Sequence, residues 1–459
     1  MSALVLGTVV IAVVGGLAVL IAGLAGLAPL ALGLGFAIAG GIALFVQPFL
    51  GVAALATFSQ LDAVEKLFFG FLPVSFFKLV GATLTLAVLA NSIRFREQFH
   101  SVMRNPVIVM GLVFFLMTLV SMAGAEDKGR AISSVISSVS LILLLMLVTI
   151  LSNTKRKVVI MLWILVGSSF VSAMILLVDV TLGVQLVAQS DAATTARTAE
   201  GVTRSSGGSD YNPTTAASML LVGVIFALVH SFESPVWRWR LLMIAGIGTA
   251  AVVLSFARSA ALAYFIIGLA LVWRYHHWRY LPLGAAGAFC VGLALVPFVP
   301  IEYWERLSSL MSGSGDPTLG RRFTYNVIGI DLFVHHPLFG VGPSNFVHHY
   351  TNIEYRYLPG RTLLGRELHN MYLSVVVQYG LLGAFPFFAM LVLTFKQLRT
   401  VSRIPSTEAL RVYAVALSYA IAAYLLASLF LPNEYTKYTW LLPGISTALF
   451  IVNERERIR

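Results

Sequence analysis

Cysteine is almost missing. Cys290 stands alone in 459 residues, which excludes an internal disulfide, a thiolate metal cluster and a dithiol redox pair. Charge is scarce too, at 11% of residues, roughly half the usual share of a soluble domain. Acids are the rarer sign, 20 against 31 Lys and Arg. No charged side chain comes before Asp62. That uncharged start is too long, and too poor in basic residues, for a cleaved signal peptide, and reads as retained spans. No internal repeat is visible.

What fills the chain instead is apolar sequence, 58% hydrophobic, with many stretches of about twenty residues that match a bilayer core. This is the composition of an all-α, polytopic membrane protein. A net charge of +11 would suggest nucleic acid in a soluble protein, but here the basic residues sit in short loops and set orientation instead. They cluster at Arg94/Arg96/Arg104, Lys155/Arg156/Lys157, Arg238/Arg240, Arg274/Arg279, Lys396/Arg399/Arg403 and Arg455/Arg457/Arg459. With every cluster in the cytoplasm, the spans between them pair as 104–123 with 133–152, 157–181 with 213–231, 281–299 with 369–395, and 408–431 with 437–453. The outer connections are then 124–132, 182–212, 300–368 and 432–436. At the front, 4–24, 28–46 and 75–93 are further spans, and 49–61 is short enough to cross or merely to dip. The expected total is about 12–14 transmembrane helices.

Residues 241–273 form a fifth pair. As one helix they would run about 50 Å, too long for a core of about 30 Å, and Arg240 and Arg274 mark both ends as cytoplasmic. The chain must therefore reverse at Ser255-Phe256-Ala257-Arg258-Ser259, putting Arg258 at the outer tip of a helical hairpin. An arginine between apolar runs is a functional candidate; the alternative is an arginine reaching for lipid phosphates.

Two outer loops differ in character. The Ser/Thr/Ala/Gly bias of 182–212 predicts a mobile segment, ending in Ser209-Asp210-Tyr211-Asn212-Pro213, where Asn212 caps a helix opened by Pro213 or the motif touches glycan. Loop 300–368 carries four of the nine histidines, His335, His336, His348 and His349. No completing ligands accompany them, so polar surface histidine outweighs a metal site. Phe323, Val327, Ile330 and Val334 mark one apolar face of a helix ending before Pro337. Such a helix would lie along the membrane surface, with Arg321 and Arg322 near its start as an anion site. Gly340-Val341-Gly342-Pro343 reads as a tight turn, with a phosphate nest as a weak alternative. The loop tyrosines and Trp304 fit either sugar stacking or an aromatic belt. His369 opens the span 369–395, and the positive end of that helix favours neutral imidazole, the form that accepts a proton. A neutral histidine beside phosphate-binding arginines suits transfer from a lipid diphosphate to a sugar hydroxyl.

These residues resemble a known family. The run Gly320-Arg321, Tyr325, His336-Pro337-Leu338-Phe339-Gly340-Val341-Gly342-Pro343-Ser344-Asn345-Phe346, then His369-Asn370-Met371-Tyr372-Leu373 and Gly380-Leu381-Leu382-Gly383, is similar to the O-antigen ligase and polymerase family. Asp210-Tyr211-Asn212-Pro213 and Leu254 to Ser259 extend the likeness, so that it covers about 205–395. Tyr325 departs from the tryptophan usual there. The resemblance implies a helical glycosyltransferase fold of the C type in the bacterial inner membrane. It also implies transfer of glycan from undecaprenyl diphosphate on the periplasmic face, without metal, nucleotide sugar or other cofactor. By motif match it implies His369 as the base, with Arg258 and Arg321 as diphosphate contacts and Arg322 as a substitute for Arg321.

The organisation read from this is 1–204 for N-terminal transmembrane helices and the mobile outer loop, 205–395 for the family core, and 396–459 for C-terminal transmembrane helices and a cytoplasmic tail. The size of loop 300–368 and its unbroken run into His369-Asn370 look more like ligases, whose acceptor is the lipid A–core oligosaccharide, than like polymerases using the same donor. A secondary transporter or lipid flippase is the reading of another class; its mark would be charges near the membrane midplane, whereas here they gather on one outer face.

Overall fold

The computed structural model describes residues 39–70, 75–187, 204–277, 317–359 and 365–458, all helix, turn or loop with no strand among them. Its helices are α1 (Ala39–Val46), α2 (Pro48–Gln60), α3 (Asp62–Phe69), α4 (Phe76–Ala90), α5 (Arg96–Met103), α6 (Pro106–Ala123), α7 (Lys128–Leu151), α8 (Lys155–Leu182), α9 (Pro213–Glu233), α10 (Arg238–Leu254), α11 (Arg258–Arg274), α12 (Pro317–His335), α13 (Phe346–Tyr350), α14 (Met371–Arg403), α15 (Glu408–Ala427) and α16 (Lys437–Ile458). Short polar caps start several of them: Asn105 accepts from Val107 N at 3.0 Å, Asp127 from Arg130 N at 3.0 Å, and Asn212 from Thr214 N and Thr215 N at 3.0 and 2.9 Å. Each cap satisfies amide hydrogens left over at a helix start. The expected cap at Asn212-Pro213 is therefore present.

Among the described residues six helices are long and apolar enough to cross a bilayer: α6, α7, α8, α9, α14 and α15 with its extension to Phe430. The chain is thus an all-α polytopic membrane protein. The pair α1 and α2 is bent by 111°, a broken span or a re-entrant loop, and would bring the number to seven. The expected 12–14 is larger for three reasons. Helix α16, where the span 437–453 was expected, has 22 residues but is not among the six that are long and apolar enough. Residues 4–24, the first part of 28–46 and 281–299 lie outside the described residues. In addition α4, α10 and α11, of 15, 17 and 17 residues, are short for a span. The centre of the bundle is α9, 89% of whose apolar stretch is buried; it packs against α8, α10 and α15. Gly223 lets it approach α8 closely, since a Cβ there would collide with Ser169.

The reversal expected at 255–259 is present. Near the start of α10, Arg238 Nε donates to Ser231 O at 3.2 Å, and at the end of α11 Arg274 Nη2 lies 3.2 Å from Glu233 Oε1. Both open ends of the hairpin therefore meet the same end of α9. Its tip meets the other end, because Arg204 bonds both Ser255 O (Nε, 3.1 Å) and Thr214 Oγ1 (Nη2, 3.0 Å).

For residues 204–209 that contact corrects the expectation of a mobile 182–212 loop. Residues 188–203 lie outside the described residues, but 204–209 are buried. Ser205 Oγ donates to Asp179 Oδ2 at 2.6 Å, Gly208 N donates to Ser172 Oγ at 3.2 Å, and Ser209 Oγ donates to Asp62 Oδ1 at 3.0 Å. Small residues here are packing into crowded space, and composition alone mimics flexibility.

Helix α14 is interrupted at Gly380, whose φ of 62° and ψ of −171° leave the helical region. The segment 337–342 inserts its backbone into the gap. Val341 N and Gly342 N donate to Val377 O and Gln378 O, both at 3.0 Å, while Leu381 N and Leu382 N donate to Pro337 O and Leu338 O at 2.8 and 3.2 Å. Irregular backbone at this depth survives because protein groups replace the missing helical bonds. The two amides of the Gly340–Gly342 turn are thereby engaged by carbonyls, so a phosphate nest is not formed there. A Cβ on Gly340 would strike the Gln378 carbonyl and one on Gly380 the Leu338 carbonyl, at φ of 69° and 62°. Gly340→Ala and Gly380→Ala should each cost at least about 2 kcal/mol. In detergent both should melt earlier or fail to yield folded protein. Gly268→Ala, with nothing within 4 Å of its added carbon, should be neutral or mildly stabilising, and equal behaviour of all three would refute the insertion.

Candidate active site

Helix α12 ends before Pro337 as expected, and beside the expected apolar face it carries a second one. Phe323, Ile330 and Val334 are 60%, 55% and 66% exposed, while Tyr325, Ile328 and Leu332 are buried. The helix is apolar on two sides. One side packs with Val341, Phe346, Tyr350, Leu368 and Val377 in a small core of its own; the other stays outward, as suits a helix lying on a membrane surface.

His369 stands against the packed side. Its ring lies 5.5 Å from that of Tyr325, which in turn lies 5.5 Å from Tyr350. Tyr325, the position where the family resemblance leads one to expect tryptophan, is thus a direct neighbour of the candidate base. The helix after it begins at Met371, with Asn370 as cap accepting from Tyr372 N at 3.1 Å and Leu373 N at 3.2 Å. His369 therefore precedes the cap, and Asn370 satisfies two amides that the sequence left as unpaired.

Three of the four candidate residues gather at one end of the bundle. Arg322 lies over the Phe430 ring, Cζ 5.7 Å from its centre, and one turn later on α12 comes Tyr325 with His369. Phe430 follows α15, where Asn433 Nδ2 bonds Ser428 Oγ at 2.8 Å and Ser218 Oγ of α9 at 3.4 Å. The start of α9 carries Thr214, which Arg204 joins to Ser255, three residues before Arg258. Arg258 is the first residue of α11, half-buried, behind Phe256 at a φ of 52°. Arg321 lies on α12 beside Arg322, and its side chain falls outside the described residues. Of the loop histidines, His335 sits 3.5 Å from Asp331 and His348 3.2 Å from Glu126, both exposed, while His336 and His349 bring their rings within 6.4 Å. Among the described residues no three His, Cys, Asp or Glu come together as a metal group.

Residues 241–388 match the O-antigen ligase family. The matched stretch lies inside the 205–395 where the resemblance was read, and contains Arg258, Arg321, Arg322 and His369. No match was found among curated proteins. The matched stretch thus contains the hairpin, α12, the inserted turn and the start of α14. The packed strap 204–209 and the loop after α15 lie outside it.

Two residues in those outer parts escaped the sequence reading. Arg204, 5% exposed, ties the strap to the hairpin tip. Glu434 is buried against the matched stretch, 2.5 Å from Ser374 Oγ and 3.1 Å from Gln378 Nε2. Gln378 Oε1 also accepts from Tyr435 OH at 2.8 Å and Ser344 N at 2.5 Å. Burial pushes the Glu434 carboxyl up to about 8, against the lowering effect of its bonds from Ser374 and Gln378. A lone acid in the short 432–436 connection was the only signal available.

The folded protein therefore keeps a proton that the unfolded chain releases. The stability this gives is complete below the ordinary carboxylate range and lost as pH rises towards about 8. Melting temperature should fall between pH 5 and 8.5 in the natural protein and stay flatter in Glu434→Gln. An unchanged slope in the variant would assign the dependence to other groups.

Beyond Tyr435, on the same end, a cavity of about 340 Å³ is lined by Asp62, Lys66, Lys78, Asp210, Tyr211 and Lys437, among others. Lys66 pairs with Asp210, and Lys437 lies 4.7 Å over the Phe77 ring. Its mix of carboxylates, ammonium groups, hydroxyls and one aromatic face is able to hold a polyhydroxyl ligand.

Proposed function

We propose that the protein is an O-antigen ligase of the inner membrane. It transfers glycan from undecaprenyl diphosphate to a sugar hydroxyl of lipid A–core oligosaccharide on the periplasmic face, on a helical fold of the C type. The observation that carries the reading is the convergence of His369, Arg322 and Arg258 on one end of the bundle, within a segment matched to the O-antigen ligase family. The acceptor oxygen attacks the anomeric carbon from the side away from the diphosphate. As that bond forms, the bond from the anomeric carbon to the phosphate oxygen breaks, and the acceptor proton passes to His369. Arg258, Arg321 and Arg322 take up the charge growing on the departing diphosphate. One displacement inverts the anomeric centre. No metal or cofactor has a step in this scheme.

The cavity beside Asp210 and Tyr211 supports the reading, because a glycan needs room at this end of the bundle, and 340 Å³ is within the range of ligand pockets. Complementation is the test. Expression in a ligase-null strain should restore long chains on lipid A–core, seen on a gel, and should leave a polymerase-null strain unchanged; the reverse result would make the protein a polymerase.

Orientation is testable separately. With Cys290 replaced by alanine, a cysteine at Ser344 should react with an impermeant thiol reagent in spheroplasts and one at Ser402 should not. The opposite pattern would turn the active face to the cytoplasm.

A further inference from the structure

A further opening lies at the other end of the bundle from His369. It is a cavity of about 620 Å³ between α8, α9, α10 and α15. The end is fixed by Glu233 at the close of α9 and Glu408 at the start of α15, both far along their helices from Thr214 and Phe430. Nothing in the proposed transfer uses it.

Its wall has two chemistries. Leu241, Ile244 and Val412 with the rings of Trp163, Trp237 and Tyr413 give an apolar surface. At the mouth is Arg240, exposed, its guanidinium 4.9 Å from the centre of the Trp237 ring. The buried carboxylate of Glu233 does not oppose an anion there, because Arg411 Nη2 at 2.7 Å, Arg274 Nη2 at 3.2 Å and Tyr275 OH at 2.5 Å already surround it. Counting Glu233 and Glu408 with their arginine partners Arg274 and Arg411, the carboxylates are balanced and Arg240 is in excess. His230, 5% exposed, stacks 5.2 Å from Tyr413, and its Nδ1 has no hydrogen-bond partner among the described residues, leaving a polar atom beside this wall unmatched.

A small hydrophilic anion would satisfy Arg240 and leave the apolar wall wet. A neutral hydrocarbon would do the reverse. An amphiphile with an acidic head satisfies both, and Val236 and Trp237 of the rim, 80% and 45% exposed, are of the kind that sit at the level of lipid headgroups. We propose that this cavity is a binding site for an anionic phospholipid, its phosphate at Arg240 and one acyl chain along Leu241, Ile244 and Val412.

The test uses the full-length protein purified in detergent and stripped of lipid. Native mass spectrometry would count bound dioctanoyl phosphatidylglycerol or dioctanoyl phosphatidylcholine, with inorganic phosphate as competitor. Phosphatidylglycerol should bind more tightly than phosphatidylcholine. Arg240→Gln, at an exposed position, should weaken phosphatidylglycerol about fivefold, the effect of one basic side chain near an anionic head, and weaken phosphatidylcholine, whose own choline offsets its phosphate, by less. Ile244→Trp, which fills the cavity, should weaken both. Equal affinity for the two lipids, no change in Arg240→Gln, or displacement of phosphatidylglycerol by millimolar phosphate would each overturn the assignment; the last would leave a free-anion site in its place.

Discussion

Replacing His369 with alanine is expected to lower glycan transfer by about 10²- to 10⁴-fold, the usual contribution of a positioned general base. The imidazole lies against Tyr325, one residue before the Asn370 cap, so its removal leaves the helix start intact and donor binding through the arginines largely unchanged. His348→Ala and His335→Ala should have small effects, because both rings are exposed and paired with surface carboxylates. Purified protein, a defined lipid-linked glycan and a suitable acceptor allow the measurement, and NMR of the product gives the linkage. Ordinary activity in His369→Ala, or retention of the donor's anomeric configuration, would exclude the direct displacement even if the transfer itself were confirmed.

Loss of charge at the donor site should be nearly as damaging. Arg258→Ala and Arg321→Ala are each expected to reduce turnover about 10²- to 10³-fold, comparable to removing one preorganised donor from a developing anion. Arg322→Ala should cost less, since its guanidinium is already stacked on Phe430. Lysine at 258 or 321 should recover only part of the rate, because an ammonium cannot make the planar two-point contact with a diphosphate. Near-normal turnover in both alanine variants, at equal protein levels, would reduce these arginines to anchors at the lipid surface.

The parts of this architecture legible in the sequence are those set by length and charge. Thirty-odd apolar residues between Arg240 and Arg274 are too many for one crossing, and the chain does turn back next to Arg258. Pro337 ends α12, and Asn212-Pro213 starts α9, because local backbone chemistry decides both. The stripe of Phe323, Val327, Ile330 and Val334 on α12 was read, but the equally good stripe of Tyr325, Ile328 and Leu332 that meets the protein was not. Periodicity reports that a stripe exists but not which stripe meets protein and which meets lipid. Arg204 and Glu434 were invisible for a different reason. Each is a single polar residue whose burial depends on partners about fifty positions away or more, Ser255 for one and Ser374 and Gln378 for the other. Insertion of 337–342 into α14 is carried by amide and carbonyl groups that every residue has, so only Gly340 and Gly380 hinted at it. The match to the O-antigen ligase family spans this insertion whole.

That insertion also constrains the order in which the molecule can be made. The carbonyls of Pro337 and Leu338 find their donors in Leu381 and Leu382, more than forty positions further along the growing chain. Until that later stretch has entered the bilayer, the turn at Gly340 has nothing to bind, and the outer loop hangs from one side only. His369 reaches its place against Tyr325 only when the following helix arrives. A nascent chain stalled before residue 381 should therefore expose the 337–342 backbone to protease, and one released beyond it should not.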